Sequence, residues 1–217
     1  MFENIIKNVH NRHPLIHCIT NYVSINDCAN IVLACGGAPI MAEDINEVSQ
    51  ITSICQGLDI NIGMLNDNKL SSMLKAGATA NGIPVILDPV GAGSSDYRIK
   101  AVQNLMSNVQ FGVIRGNVSE IKAIAAKQGI HNISAGVYDT MQKDKSAMGV
   151  EAGIADKITD DNIKEMADFI NKLSQKTGAV IAVTGRIDMV ADENRVYAIR
   201  NGHKMMSLVT GAGCQLS

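Results

Sequence analysis

Short apolar runs constrain the fold of this chain more than any other feature. Leu15 to Ile19, Ala38 to Met41, Leu58 to Ile62, Pro84 to Leu87, Gly112 to Ile114 and Ala179 to Val183 are mostly too short for helices. Longer stretches with helical periodicity separate them: Ile25 to Cys35, Asp44 to Cys55, Leu70 to Ala80, Tyr97 to Ser107, Val118 to Lys127 and Asp160 to Lys176. Gly36-Gly37 stops the helix that begins at Ile25, while the one ending at Lys176 opens on acids and closes on Lys172 and Lys176, as the helix dipole favours. Alternation of this kind predicts an α/β fold, a mostly parallel sheet covered by helices. The N-terminal Phe2, Ile5, Ile6 and Val9 fall at helical spacing and predict an amphipathic first helix. Asp192-Glu193-Asn194 joins two alternating runs and predicts a hairpin, and Ile130 to Ala155 reads as a loop-rich excursion near a site.

Composition narrows the partners. A chain of 217 residues can bury one sizeable core, so one domain is expected. A net charge of -2 lacks the basic footprint of nucleic-acid binding, and 3% aromatics without tryptophan provide no base-stacking platform. No apolar run reaches membrane-spanning length, so neither nucleic acid nor membrane is expected as a partner. Cys18, Cys28, Cys35, Cys55 and Cys214 form no CxxC pair or zinc spacing; their odd number, with no export signal, fits a reducing cytoplasm.

The polar motifs fall where the strands end, which in an open parallel sheet is where ligands gather. Val209-Thr210-Gly211-Ala212-Gly213-Cys214 is a glycine-rich turn that leads into an expected helix, and its backbone N–H groups suit a phosphate or oxyanion. Cys214 follows the second glycine, in reach of a substrate hydroxyl. Asp88 stands at a strand tip before Pro89-Val90-Gly91-Ala92-Gly93; it could bind magnesium, or cap a tight turn. Arg115-Gly116-Asn117-Val118-Ser119-Glu120 offers a guanidinium for phosphate and a carboxylate one helical turn on, but Asn117 and Glu120 also fit a capping box. Thr184-Gly185-Arg186 suits phosphate or a plain strand exit. Asn21, Tyr22, Val23 and Met41 could shape a small pocket with one polar handle, Met41 being equally at home in a core. His17 and His203 have no metal partner at ligand spacing. With no P-loop, and no third glycine after Gly91-Ala92-Gly93, any nucleotide site is of another type.

Together, Asn21-Tyr22-Val23, Pro39-Ile40-Met41-Ala42, Leu87 to Gly93, Arg115 to Glu120 and Met205 to Cys214 resemble the hydroxyethylthiazole kinases in order and spacing over essentially the whole chain. The resemblance implies a ribokinase-like three-layer α/β/α sandwich. It also implies ATP-dependent phosphorylation of the hydroxyethyl arm of 4-methyl-5-(2-hydroxyethyl)thiazole in thiamine biosynthesis. Carried over by motif, Met41 and Gly211 contact the thiazole with Asn21 and Val23 beside them, and Arg115 and Thr184 contact ATP. Asp88 and Glu120 orient magnesium, Gly211, Ala212, Gly213 and Cys214 form the anion hole, and Cys214 accepts the hydroxyl proton where related sugar kinases carry an aspartate. The family implies a homotrimer with sites between subunits, and residues 1–217 then form a single kinase domain that lacks the family's C-terminal helices. Gly-Ala-Gly-Cys stands where Gly-Thr-Gly-Cys is common. The alternatives are a kinase of hydroxymethylpyrimidine or pyridoxal and, from another class, a cysteine hydrolase, which requires a histidine partner for Cys214.

Overall fold

The apolar runs become strands almost where the sequence puts them. The computed structural model describes residues 2–130 and 157–217, so nearly all of the stretch expected to be loop-rich lies outside the described residues. The chain divides into two units, one of residues 1–88, 104–112 and 204–217, the other of 89–103 and 113–203.

The first unit holds β1 (Leu15–Ile19), β2 (Ala38–Ile40), β3 (Gly57–Asn61) and β4 (Val85–Asp88), all parallel, in the order β2-β1-β3-β4. All five residues of β3 are buried, which requires cover on both faces. Helix α3 (Val48–Ile54) packs on β1 and on α4 (Asp67–Thr79), α4 packs on β3, and α2 (Ile25–Ala34) packs on β2. Ile19, Leu58, Ile60, Met73 and Leu87 are fully enclosed between them. Helix α1 (Phe2–Arg12) forms as its spacing predicts, although Ile5 and Ile6 remain more than half exposed.

In the second unit β5 (Val113–Asn117) pairs in parallel with β6 (Val180–Thr184), and β7 (Asp188–Ala191) and β8 (Val196–Ile199) continue antiparallel. The expected hairpin joins the last two, with the Asp192 carboxylate accepting the N–H groups of Asn194 and Arg195 at 2.8 and 2.7 Å. Helix α6 (Val118–Lys127) covers β5 and β6, and α7 (Ile163–Thr177) covers β6 and β7. Met166, Phe169, Ile170 and Leu173 make the buried stripe of α7 at spacings of three and four. At about 2 kcal/mol per side chain their burial is worth roughly 8 kcal/mol before ordering entropy. Gly178, left-handed at φ 71°, ends the helix. Helix α5 (Asp96–Asn108) gives its first residues to the second unit and its last to the first.

Three expectations shift. The third helix starts at Val48 rather than Asp44, because Asp44 Oδ1 accepts the backbone N–H and the amide of Asn46 at 2.8 and 3.0 Å and holds a turn instead. Strand β2 ends at Ile40, its last paired residue, and leaves Met41 outside. The glycine turn leads into a 3-10 segment, Cys214–Leu216, where a helix is expected, and Lys204–Leu208 before it is 3-10 as well.

Candidate active site

Parallel pairing brings the carboxyl ends of β1, β3 and β4 together, with Ile19 opposite Ile60 and Asn61 opposite Asp88. Asn61, which the sequence does not single out, is the hub of this edge. Its Nδ2 donates to Asp88 Oδ2 at 2.9 Å, and its Oδ1 accepts from Gly63 N at 2.9 Å and Asn21 Nδ2 at 3.1 Å. Asn21 donates its other amide proton to Cys214 Sγ at 3.2 Å, while its Oδ1 accepts from Val23 N, Ser24 N and the Ser24 hydroxyl. Both amide protons of Asn21 are thus engaged within the chain, so the polar handle expected of it acts on the thiol. Asn61, Asp88 and Asn21 are 0, 1 and 5% exposed. At these burials every missing bond would be costly.

The tail meets this edge. Ser217 donates to Asp88 Oδ2 at 2.9 Å, and the Cys28 thiol on α2 points to the Cys214 carbonyl at 3.6 Å. Gly211 is left-handed at φ 78°, and a Cβ there would lie 2.7 Å from that of Ser24, so shape and backbone both demand glycine. The N–H groups of Gly213 and Cys214 meet no acceptor among the described residues, as an anion cradle requires. A cavity of about 420 Å³ opens beside Cys214, walled by Ile16, Cys18, Cys28, Leu58 and Asp59. It lies along the sheet and α2, and none of Asn21, Val23, Met41 or Gly211 lines it.

Apolar surface is available nearby: Val23 is 63% exposed, and Met41 is half-buried. The loop of Met41 is held by His17, whose Nε2–H donates to the Ala42 carbonyl at 2.8 Å while Nδ1 faces the Thr52 hydroxyl. Burial pushes His17 below its ordinary pKa, against the opposing pull of the Ala42 bond and of Glu47, so the ring is held neutral. Lys69 is the other residue that the sequence does not disclose. Its buried ammonium donates to the Thr20 carbonyl, pairs with Glu43 at 2.9 Å and lies 4.5 Å from the Tyr22 ring centre. Tyr22 in turn donates to Glu43, and that bond raises the phenol's pKa. Burial pushes the Glu43 carboxyl up, but the bonds from Tyr22 and Lys69 and the lysine charge outweigh it, and its pKa is lowered.

The remaining candidates belong to the second unit. Arg115, 7% exposed, donates from Nη2 to Thr184 Oγ1 at 2.8 Å, so the two expected nucleotide contacts are neighbours on adjacent strands. Asn117 and Glu120 form the capping box. Glu120 does more, however: Oε2 accepts from Asn117 N and Oε1 from Gly91 N, each at 2.8 Å, tying α6 to the glycine turn. Among the described residues no group of three or more His, Cys, Asp or Glu could hold a metal.

Residues 6–217 match the model of the hydroxyethylthiazole kinase family. The hydroxyethylthiazole kinase of Clostridium acetobutylicum is 52% identical over 219 residues, spanning 100% of this chain and 74% of its own. The solved hydroxyethylthiazole kinase protein of Pyrococcus horikoshii superposes with a TM-score of 0.80 at 31% identity, over 98% of this chain and 72% of that one. A ribokinase-like superfamily protein of Enterococcus faecalis shares the fold at a TM-score of 0.54 and 11% identity, covering 93% of this chain and 67% of its own. Among the described residues no helix is long and apolar enough to cross a membrane.

Proposed function

Since the chain belongs to the hydroxyethylthiazole kinase family, we propose that it transfers the γ-phosphoryl group of ATP to the hydroxyethyl arm of 4-methyl-5-(2-hydroxyethyl)thiazole. One observation carries the reading to this site: Cys214 and Asp88 share a single hydrogen-bonded cluster at the strand tips, with Asn21 holding the sulfur. The hydroxyl oxygen attacks the γ-phosphorus, the bond to the bridging oxygen breaks, ADP leaves and the hydroxyl proton passes to the thiolate form of Cys214, which becomes the thiol. The free N–H groups of Gly213 and Cys214, with Gly211 and Ala212 shaping the turn, receive the transferring phosphoryl oxygens. Arg115 and Thr184 hold the nucleotide phosphates, and Met41, Val23 and Gly211 wall the thiazole. Asp88 and Glu120 are the residues to hold magnesium and its waters; both are buried carboxylates, the hard oxygen donors this ion takes. When bound, the ion neutralises phosphate charge.

An ordinary cysteine is mostly protonated near neutral pH and little of it can act as a base, but general-base help supplies only about 10²- to 10⁴-fold, and phosphoryl transfer depends chiefly on position and charge. Cys214→Ala should therefore lower kcat by about 10²-fold or more with little change in KM, and Cys214→Asp should retain measurable turnover. An unchanged kcat in Cys214→Ala removes the cysteine from the mechanism. The cysteine-hydrolase alternative loses ground, since the sulfur's bonded partner is an amide where that chemistry needs a histidine. We further propose a homotrimer, supported by the exposed Val23, Met205, Leu208 and Val209, and work in the cytoplasm, supported by five free cysteines. Light scattering tests the assembly. The function is tested by ATP-dependent phosphorylation of the thiazole against hydroxymethylpyrimidine and pyridoxal, with magnesium and after its chelation. Turnover of the thiazole alone or fastest, lost on chelation, is expected; preference for another alcohol would overturn the substrate.

A further inference from the structure

We propose that Asn61 is a positioning residue of the kinase site, setting the Cys214 sulfur and the Asp88 carboxylate in register through Asn21. The inference rests on the functional reading above, but its geometry stands apart from it.

The direction of the chain is fixed by backbone donors at both amides. Gly63 N–H points at one end of the Asn61 side chain, which must therefore be its oxygen, and this turns the nitrogen to Asp88. Val23 N–H and Ser24 N–H point at one end of Asn21, which must likewise be oxygen, and this turns the nitrogen to Asn61 Oδ1 and to Cys214 Sγ. Neither amide can flip without setting donor against donor. Glycine at 63 lets Asn21 lie this close: a Cβ there would stand 2.8 Å from its Nδ2.

The chemistry of position 61 follows. A carboxylate and an amide nitrogen must be joined across a buried gap by one group that donates on one side and accepts on the other. An aliphatic residue would leave Asp88 Oδ2, Gly63 N–H and Asn21 Nδ2 each one bond short. An aspartate would serve Gly63 and Asn21 but set a second negative charge against Asp88. A neutral carboxamide satisfies all of them without adding charge.

The two ends can be read separately in the intact 217-residue chain. Iodoacetamide labelling resolved by peptide mass reports the sulfur, with Cys18, Cys28 and Cys55, all buried, and exposed Cys35 as internal controls for the fold. Steady-state kinetics report the whole site. Asn61→Ala and Asn61→Leu should slow labelling of Cys214 about fivefold, since the N–H aimed at its sulfur is no longer held. They should also lower kcat about 10- to 100-fold, with both KM values within threefold and the buried cysteines still unlabelled. Asn61→Asp should restore wild-type labelling of Cys214 while kcat stays low, because only the Asp88 end is damaged. Wild-type kcat in Asn61→Ala, or labelling of the three buried cysteines alongside Cys214, overturns the proposal, the second by making Asn61 an ordinary structural residue. If the unsubstituted chain phosphorylates none of the alcohols, the functional reading fails by itself and the labelling series still decides the coupling.

Discussion

Gly211→Ala is the sharpest single test of how the tail is held. The new Cβ meets two obstacles: the left-handed backbone at φ 78°, and Ser24 Cβ at 2.7 Å. The first costs an L-residue about 1–2 kcal/mol. The second is an overlap of about 1 Å against ordinary carbon contact, and overpacking of this kind costs about 1–3 kcal/mol. Ser24, 1% exposed at the start of α2, has no open space to yield. Strain of about 2–5 kcal/mol then opposes the bonds that seat the tail: Asn21 to Cys214, Cys28 to the Cys214 carbonyl, and Ser217 to Asp88. At about 1 kcal/mol each these total roughly 3 kcal/mol. Strain matches or exceeds attachment, so the tail should lift away while the rest stays folded, a local opening helped by the exposure of residues 201–210. In a coupled ADP-release assay kcat should fall at least 100-fold, while Tm by circular dichroism falls by no more than about 4 °C, since released residues regain entropy. A Gly211→Ala chain with wild-type turnover would refute the seating, and a Tm loss above about 10 °C would show that strain spreads through the unit.

Two further outcomes follow from groups behind the site. His17 titrates lower folded than its ordinary 6.5, so above that pH both states are neutral and stability is complete; as pH falls below it the unfolded chain takes the proton first and stability is lost. The urea midpoint should thus drop between pH 7.5 and 5.5 by less in His17→Gln than in the parent, and equal drops would remove His17 as a cause. Lys69→Met breaks the bond to Thr20 and the pair with Glu43; because Glu43 is 38% exposed and partly screened, the expected loss is about 1–3 kcal/mol by urea unfolding, and a loss under about 0.5 kcal/mol would show the cluster to be slack.

Much of the fold was legible because periodicity is local. Leu15–Ile19 and Val118–Lys127 fall where their runs place them, and the six apolar runs all become strands. Local chemistry also explains the misses, since the Asp44 side chain competes for the N–H groups that would have opened α3 earlier. The site is another matter. Asn117 and Glu120 announce a cap by spacing alone, whereas Asn61 ends an apolar run like any strand residue, and its partners lie 27 and 40 positions away. The faint signal was a polar side chain at a strand tip two residues before a glycine. Lys69 reads as a solvated helix residue, and only the fold delivers the Thr20 carbonyl, 49 positions distant, to its ammonium.

The two carboxamides at the strand tips also furnish the molecule with its own spectroscopic probe. An NH₂ group with both hydrogens engaged, as in Asn21, exchanges slowly with solvent and separates from the crowd of surface amides in a nitrogen-15 correlation spectrum. Arrival of nucleotide, acceptor or cation is then followed as a frequency change at one side chain, with no chemical tag attached and no turnover needed.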